Sequence, residues 1–242
     1  MKVTKSESLV VITGHTSGLG KALLDLVHSE KDLSCIGISR RKIFSHPSGN
    51  LTEIVANFSI PKEMLDACKK LVSYVHKSKI KFDNLYFFNN AASIEPINSI
   101  GTQNSETLIQ SINTNFVTAS VFINEIMKIE GHFKKLYFID ISSGAAVRTI
   151  HSWSAYCSAK AATKMLFKCL ESESSRKSHV KIISIDPGVM DTNMQAIIRD
   201  KSQDEFPEVN AFIDFKTNSK LKKPQDVAAE ILNNLNIVSS SR

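Results

Sequence analysis

A chain of 242 residues, 42% hydrophobic and 22% charged, has the length and composition of one α/β domain with a full core. No apolar run approaches the ~20 residues that span a bilayer, and residues 1–14 lead straight into a strand, so the expectation is a cytoplasmic protein with no membrane span and no signal peptide. The net charge of +6 comes from scattered lysines with short clusters at 40–42 and 220–223, which suits a solvated surface and an electropositive mouth for an anionic cofactor better than nucleic acid. Cys35, Cys68, Cys157 and Cys169 lack paired or metal-ligand spacing and read as free thiols, with no metal site.

Residues 9–12 (LVVI) are a continuous apolar run, the pattern of a parallel strand buried on both faces. The turn Thr13-Gly14-His15-Thr16-Ser17-Gly18-Leu19-Gly20 follows, and 21–27 reads as a helix. Strand, glycine turn and helix together present backbone N–H groups to a pyrophosphate. Gly14 allows the tight turn, Gly18 a close approach by the ligand, and Gly20 close packing of helix on strand. His15 reads as a loop residue near solvent. A second strand, 34–39, ends in Ser39-Arg40-Arg41-Lys42. Where NAD-binding strands end in an acid that grips the ribose hydroxyls, Arg40 offers a partner for the extra phosphate of NADP. The alternative is a charged turn. Residues 43–49 form a loop, 51–57 a third strand, and Pro61 opens a helix to about residue 76.

The fourth strand, 85–88, runs into Asn89-Asn90-Ala91-Ala92, whose small and amide side chains can line a wall beside an adenosine. After a loop over 93–104, the apolar period predicts one long helix over 105–128. Asn115 falls on its inward face. It is either an asparagine satisfied by a backbone carbonyl or solvent, or an amide that holds a local irregularity and a water.

Residues 136–141 (LYFIDI) form a buried strand, and Ser143 lies just past its carboxyl end, where open α/β sheets place their ligands. The next helix, about 153–174, carries Tyr156 and Lys160 at i and i+4, on one face. A phenol is a poor acid near neutrality, and a cation held beside it favours the phenolate. Tyr156 can then exchange a proton with a carbonyl oxygen as hydride is transferred, with Lys160 as the cation and Ser143 bonding the same oxygen. The alternative is a surface helix with an incidental Tyr and Lys. A sixth strand, 180–185, is followed by DPGVMDT and by the segment 193–222, which holds Met194, Phe206, Phe212 and Phe215. That segment suits a lid over an apolar substrate, or packing onto a neighbouring helix. Trp153 can wall the pocket on one side, with Met190, Met194 and Phe212 opposite. Pro224 opens a last helix to about 235, followed by a serine-rich tail. With no internal repeat, residues 1–242 read as one Rossmann-type domain: a doubly wound parallel sheet of six clear strands, the seventh short or absent.

These motifs, in this order, resemble the short-chain dehydrogenase/reductase family over nearly the whole chain: Thr13-Gly14-x-x-x-Gly18-x-Gly20, Asn89-Asn90-Ala91, Asn115, Ser143, Tyr156-x-x-x-Lys160 and Pro187-Gly188. The resemblance implies Tyr156 as acid/base, Lys160 on the nicotinamide ribose, Ser143 orienting the carbonyl, and Asn115 tying a water to Lys160. It implies Thr192 on the carboxamide, beside Pro187, Gly188 and Val189. It puts Thr16, Ser17 and Leu19 at the pyrophosphate and Ser39, Arg40 and Arg41 at the ribose phosphate. Asn57, Phe58, Asn90, Ala91 and Ala92 fall around the adenine. Ala92 stands where members usually have glycine, Asn57 near where an acid is frequent, and Ser17 where many NADP-preferring members carry a base. The segments ISSGAA, WSAYCSAKAA and DPGVMDTNMQ look most like the sepiapterin reductase and benzil reductase branch, which reduces one carbonyl of a vicinal dicarbonyl with NADPH. Pterin-reducing members use an acid in a C-terminal extension that this chain stops short of, which leaves a general dicarbonyl reductase as the expectation. A regulatory protein that kept the fold without turnover is the reading from another class. A homodimer or homotetramer through 105–128 and 153–174 is implied.

Overall fold

The computed structural model describes residues 7–43 and 49–238; most of the 43–49 loop and the serine-rich tail lie outside the described residues. Six strands form one sheet: β1 (Glu7–Thr13), β2 (Leu33–Ser39), β3 (Leu51–Val55), β4 (Phe82–Asn89), β5 (Lys135–Ile141) and β6 (Val180–Ile185). Their spatial order is β3-β2-β1-β4-β5-β6, and every pairing is parallel. Helices α1 (Gly18–Val27), α2 (Pro61–Lys77), α3 (Ser105–Ile112), α4 (Thr118–Met127), α5 (Ser154–Glu173), α6 (Asn193–Arg199), α7 (Val209–Thr217) and α8 (Pro224–Asn234) complete the regular structure, with short 3₁₀ turns between.

The period of two along β1 sends alternate side chains to opposite faces. Leu9 and Val11 join Leu71 of α2, Phe122 of α4 and Phe167 of α5 in one layer. Val10 and Ile12 join Leu23 of α1 and Ile231 of α8 in the other. Both layers are closed, so β1 is buried along its apolar run and carries no polar alternation. The chain moves outward from β1 to β3 and then returns to place β4 on the other flank of β1. The carboxyl ends of β1 and β4 therefore flank the switch point, the crevice where such sheets hold ligands.

The expected helix over 105–128 is interrupted. A π turn, Asn113–Val117, separates α3 from α4, and the Thr118 N–H reaches back five residues to the Asn113 carbonyl. The Thr118 hydroxyl donates to the same carbonyl at 2.8 Å. Residues 193–222 hold α6 and α7. Beyond β6 no further strand forms among the described residues, where one isolated bridge, Met190–Lys222, is the nearest equivalent. No described helix is long and apolar enough to cross a membrane.

Candidate active site

Ser143 follows β5 by two residues and caps the 3₁₀ turn Gly144–Ala146, its Oγ accepting the Ala145 N–H at 3.2 Å. The hydroxyl hydrogen stays available to donate. Tyr156 and Lys160, in the first two turns of α5, are 6% and 3% exposed. The Lys160 Nζ lies 5.9 Å from the Tyr156 ring centroid, within range of the ring's negative face. A buried ammonium needs acceptors, and Nζ donates to the Ile141 carbonyl at 2.7 Å, at the end of β5. That bond fixes α5 to the strand whose end positions Ser143.

Asn115 sits in the π turn with its amide fully engaged. Its Oδ1 accepts the Ser93 N–H at 2.8 Å, and its Nδ2 donates to the Ser93 carbonyl at 2.8 Å and the Ser111 hydroxyl at 3.1 Å. Its backbone carbonyl accepts the Thr163 hydroxyl of α5 at 2.9 Å. The side chain thus clamps the loop after β4 to the irregular turn, while the main chain meets α5 through Thr163.

The cofactor cleft is built at the ends of β1, β2 and β4. Gly14 adopts φ +71°. A Cβ on Gly20 would lie 2.3 Å from the Gly14 carbonyl oxygen, so helix and turn approach closer than any other residue allows. Ser17 precedes α1 without a side-chain cap, leaving the first N–H groups of that helix facing outward. Thr192 caps α6 across from them, its methyl 3.3 Å from where a Gly18 Cβ would stand. A cavity of about 370 Å³ between Ser17–Ala22 and Asp191–Asn193 reaches Pro224 and Gln225. Close-packed glycines, outward N–H groups and this cavity fit a dinucleotide pyrophosphate. Arg40 and Arg41 are exposed at the end of β2, and Ser39 Oγ donates to the Arg41 carbonyl at 2.6 Å. Pro187 and Gly188 follow β6, and Gly188 N–H donates to Asp186 Oδ1 at 3.0 Å.

Three cleft residues differ in detail from expectation. Asn90 turns its amide to the Thr13 carbonyl at 2.8 Å and braces the glycine turn rather than presenting it to a ligand. Phe58 buries its ring edge-on to Phe122, and Leu19 buries its side chain against β1, so each offers the cleft its main chain only.

Trp153 is 5% exposed and stands perpendicular to Tyr156, ring centroids 5.8 Å apart. Ile94, Ile97, Phe206 and Phe212 close around it, with Met194 against the group. Met190 does not join them. It packs on the opposite layer, with the α1 and α8 side of the sheet, because its bridge to Lys222 turns it away.

The sequence model for short chain dehydrogenases matches residues 8–203. The chain belongs to that family. It is 31% identical over 232 residues to the benzil reductase ((S)-benzoin forming) of Bacillus cereus, covering 93% of this chain and 92% of that one. The sepiapterin reductase of Xenopus tropicalis is 35% identical over 95 residues, covering 39% of this chain and 34% of that protein. Among solved structures, the KRED1-Pglu enzyme superposes with a TM-score of 0.78 at 23% identity, covering 93% of both chains. This short chain dehydrogenase is accordingly an oxidoreductase that works with a nicotinamide dinucleotide.

Two residues of this dehydrogenase escaped the sequence reading. Asp140 is fully buried beside Ile141, and Asn89 of β4 donates to its Oδ1 at 3.1 Å. Burial pushes its carboxyl up from the ordinary aspartate range, against the opposing pull of Lys160. A charged residue next to the end of the otherwise apolar LYFIDI run was the available signal. His15 is the second. It is 0% exposed, not near solvent, and reaches under the glycine turn to Glu53.

Proposed function

We propose that the protein is an NADPH-dependent carbonyl reductase that reduces one carbonyl of an apolar or aromatic vicinal dicarbonyl. The observation that carries this reading is the buried Tyr156 ring with the Lys160 ammonium 5.9 Å and the edge-on Trp153 ring 5.8 Å from its centroid, on the helix that Lys160 ties to the strand end just before Ser143. The Ser143 hydroxyl and the Tyr156 hydroxyl hold the carbonyl oxygen, and Tyr156 passes its proton to that oxygen. Lys160, whose Nζ donates to the Ile141 carbonyl, stabilises the phenolate that remains. The bound nicotinamide supplies the hydride. Gly14, Gly18 and Gly20 would hold its pyrophosphate, Thr192 its carboxamide, and Arg40 with Arg41 the ribose phosphate.

The apolar group around Trp153 supports a substrate with aromatic or branched substituents, and residues 193–222 act as the lid that admits it. The benzil reductase relatives support the vicinal carbonyl. A neighbouring carbonyl makes the reacting carbon more electrophilic. One reduction removes that activation, so a hydroxyketone leaves. The sepiapterin reductase relatives favour a second reading, a pterin side-chain carbonyl, over the shorter stretch they share. The same reading makes the protein a homodimer or homotetramer through α3–α4 and α5, where Ile109 and Met165 are 58% and 59% exposed.

The test is kcat/KM with NADPH for a phenyl 1,2-diketone, an aryl monoketone and sepiapterin. The diketone should lead by at least roughly tenfold, about 1.4 kcal/mol in transition-state stabilisation. A leading monoketone overturns the substrate class, leading sepiapterin selects the pterin reading, and no turnover with any of them favours a regulatory nucleotide-binding protein.

A further inference from the structure

A buried pair beneath the glycine turn plays no part in the chemistry above. His15 Nε2 lies 2.7 Å from Glu53 Oε1, and the two side chains are 0% and 7% exposed. The same carboxylate oxygen accepts the Ile43 backbone N–H at 2.7 Å. The imidazole has space because β2 carries glycine beside it: a Cβ on Gly37 would stand 2.5 Å from His15 Cγ. Gly37 is paired with Glu53 in the β2–β3 register, so the imidazole, the missing side chain and the carboxylate share one level of the sheet. One oxygen of Glu53 therefore joins three segments: the glycine turn, β3, and the chain immediately after Arg40-Arg41-Lys42. The basic turn is tied at its other end by the bond from Ser39 Oγ to the Arg41 carbonyl. The glycine turn is tied to β2 by the bond from Gly14 N–H to the Ile38 carbonyl, at 2.8 Å.

We propose that His15 and Glu53 are the positioning pair for cofactor choice, holding the basic turn against the glycine turn so that Arg40 and Arg41 meet a ribose 2′-phosphate without first being ordered. The proposal rests on the NADPH reading above. Its physical basis is the cost of ordering: exposed arginines on a loose turn lose contact energy to immobilisation, and a turn fixed in advance returns it as affinity. The position of Ser17, which carries no positive charge, makes this matter more, because the phosphate then depends on the β2 end alone. Both cofactors use the glycine turn, and only the phosphorylated one uses the basic turn. A pair that merely supports the fold would affect the two alike.

The experiment is fluorescence titration of NADPH and NADH into four proteins: wild type, His15→Ala, Gly37→Ala and the double variant. Each readout is a ratio of two affinities on the same folded protein, which a general loss of stability moves little. His15→Ala should weaken NADPH by roughly tenfold and NADH by less than about threefold. Gly37→Ala should do the same, because its methyl displaces the imidazole. The double variant should be no worse than His15→Ala, since the three atoms nearest that methyl all belong to the imidazole and are then gone. Parallel losses for both cofactors, unchanged selectivity, or additive effects in the double variant overturn the positioning role while wild-type NADPH preference still stands. A wild type that binds both cofactors equally overturns the NADPH reading, and this inference with it.

Discussion

Trp153 lies flat against Phe206, ring centroids 5.3 Å apart and planes 16° from parallel. Phe206 belongs to the segment after α6 and is fully buried, while Trp153 stands edge-on to Tyr156. The residues beside Tyr156 and the segment after α6 are thus one apolar body. Phe206→Ala should cost about 3–5 kcal/mol of stability, the range for truncating a buried phenylalanine. Denaturant unfolding measures this, and a shift within about 0.5 kcal/mol of wild type, the range of surface substitutions, would show that Phe206 is not held in the core.

Tyr156→Phe keeps the ring against Trp153 and beneath Lys160 and removes only the hydroxyl. It should lower kcat by the ~10²–10⁴-fold of general acid–base catalysis and leave NADPH affinity in place. Lys160→Ala should impair both. Steady-state rates with a diketone and cofactor titration separate the two effects, and a Tyr156→Phe enzyme with near-normal turnover would remove the mechanism.

Arg40 is exposed at the end of β2, where no acid stands. A charge-assisted contact to phosphate is worth roughly 1.5–3 kcal/mol, about ten- to a hundredfold in affinity. Arg40→Asp should weaken NADPH by that factor and bring NADH level or ahead. Comparing kcat/KM for the two cofactors decides, and an unchanged preference would move the phosphate contact elsewhere.

Asp140 makes stability depend on pH. Burial raises its native pKa above the unfolded value of about 3.9, and Lys160 and Asn89 offset this only in part. A raised native value means that its contribution is complete below about pH 3.9 and is lost as pH rises through the native pKa. Asp140→Asn does not titrate. The melting temperature of wild type relative to Asp140→Asn should therefore be highest at the acid end and fall as pH rises. A difference that grows with pH would mean that attraction to Lys160 outweighs burial.

The strands, and the placing of Tyr156 and Lys160 on one helix after β5, could be read from sequence because their signals are local. Residues 9–12 of β1 are an unbroken apolar run, and the i, i+4 spacing of Tyr156 and Lys160 fixes their common face. The features that could not be read depend on distant partners. His15 has the composition of a loop residue, and it is buried only because Gly37, 22 positions on, leaves room and Glu53 on a third segment supplies an acceptor. Phe58 follows a strand end and suggests a cleft wall, yet Phe122 of α4 draws its ring inward. Met190 looks like a pocket residue by position, and a single backbone bridge to Lys222 turns it to the other layer. The break in the 105–128 helix was foreshadowed only by the polar Asn115 on an apolar face, since the apolar period continues through the π turn.

A π turn is a helix carrying one residue more than its hydrogen-bond ladder can use. Deleting one residue from Asn113–Val117 would let the ladder close as ordinary α-helix. It would also rotate everything on the amino-terminal side by about 100° and draw it in by about 1.5 Å. Ser111 would swing away from the Asn115 amide, and the Ser93 loop would lose its clamp. A redesign that scores this segment by helical ideality would straighten it at the expense of the clamp between the loop after β4 and the turn.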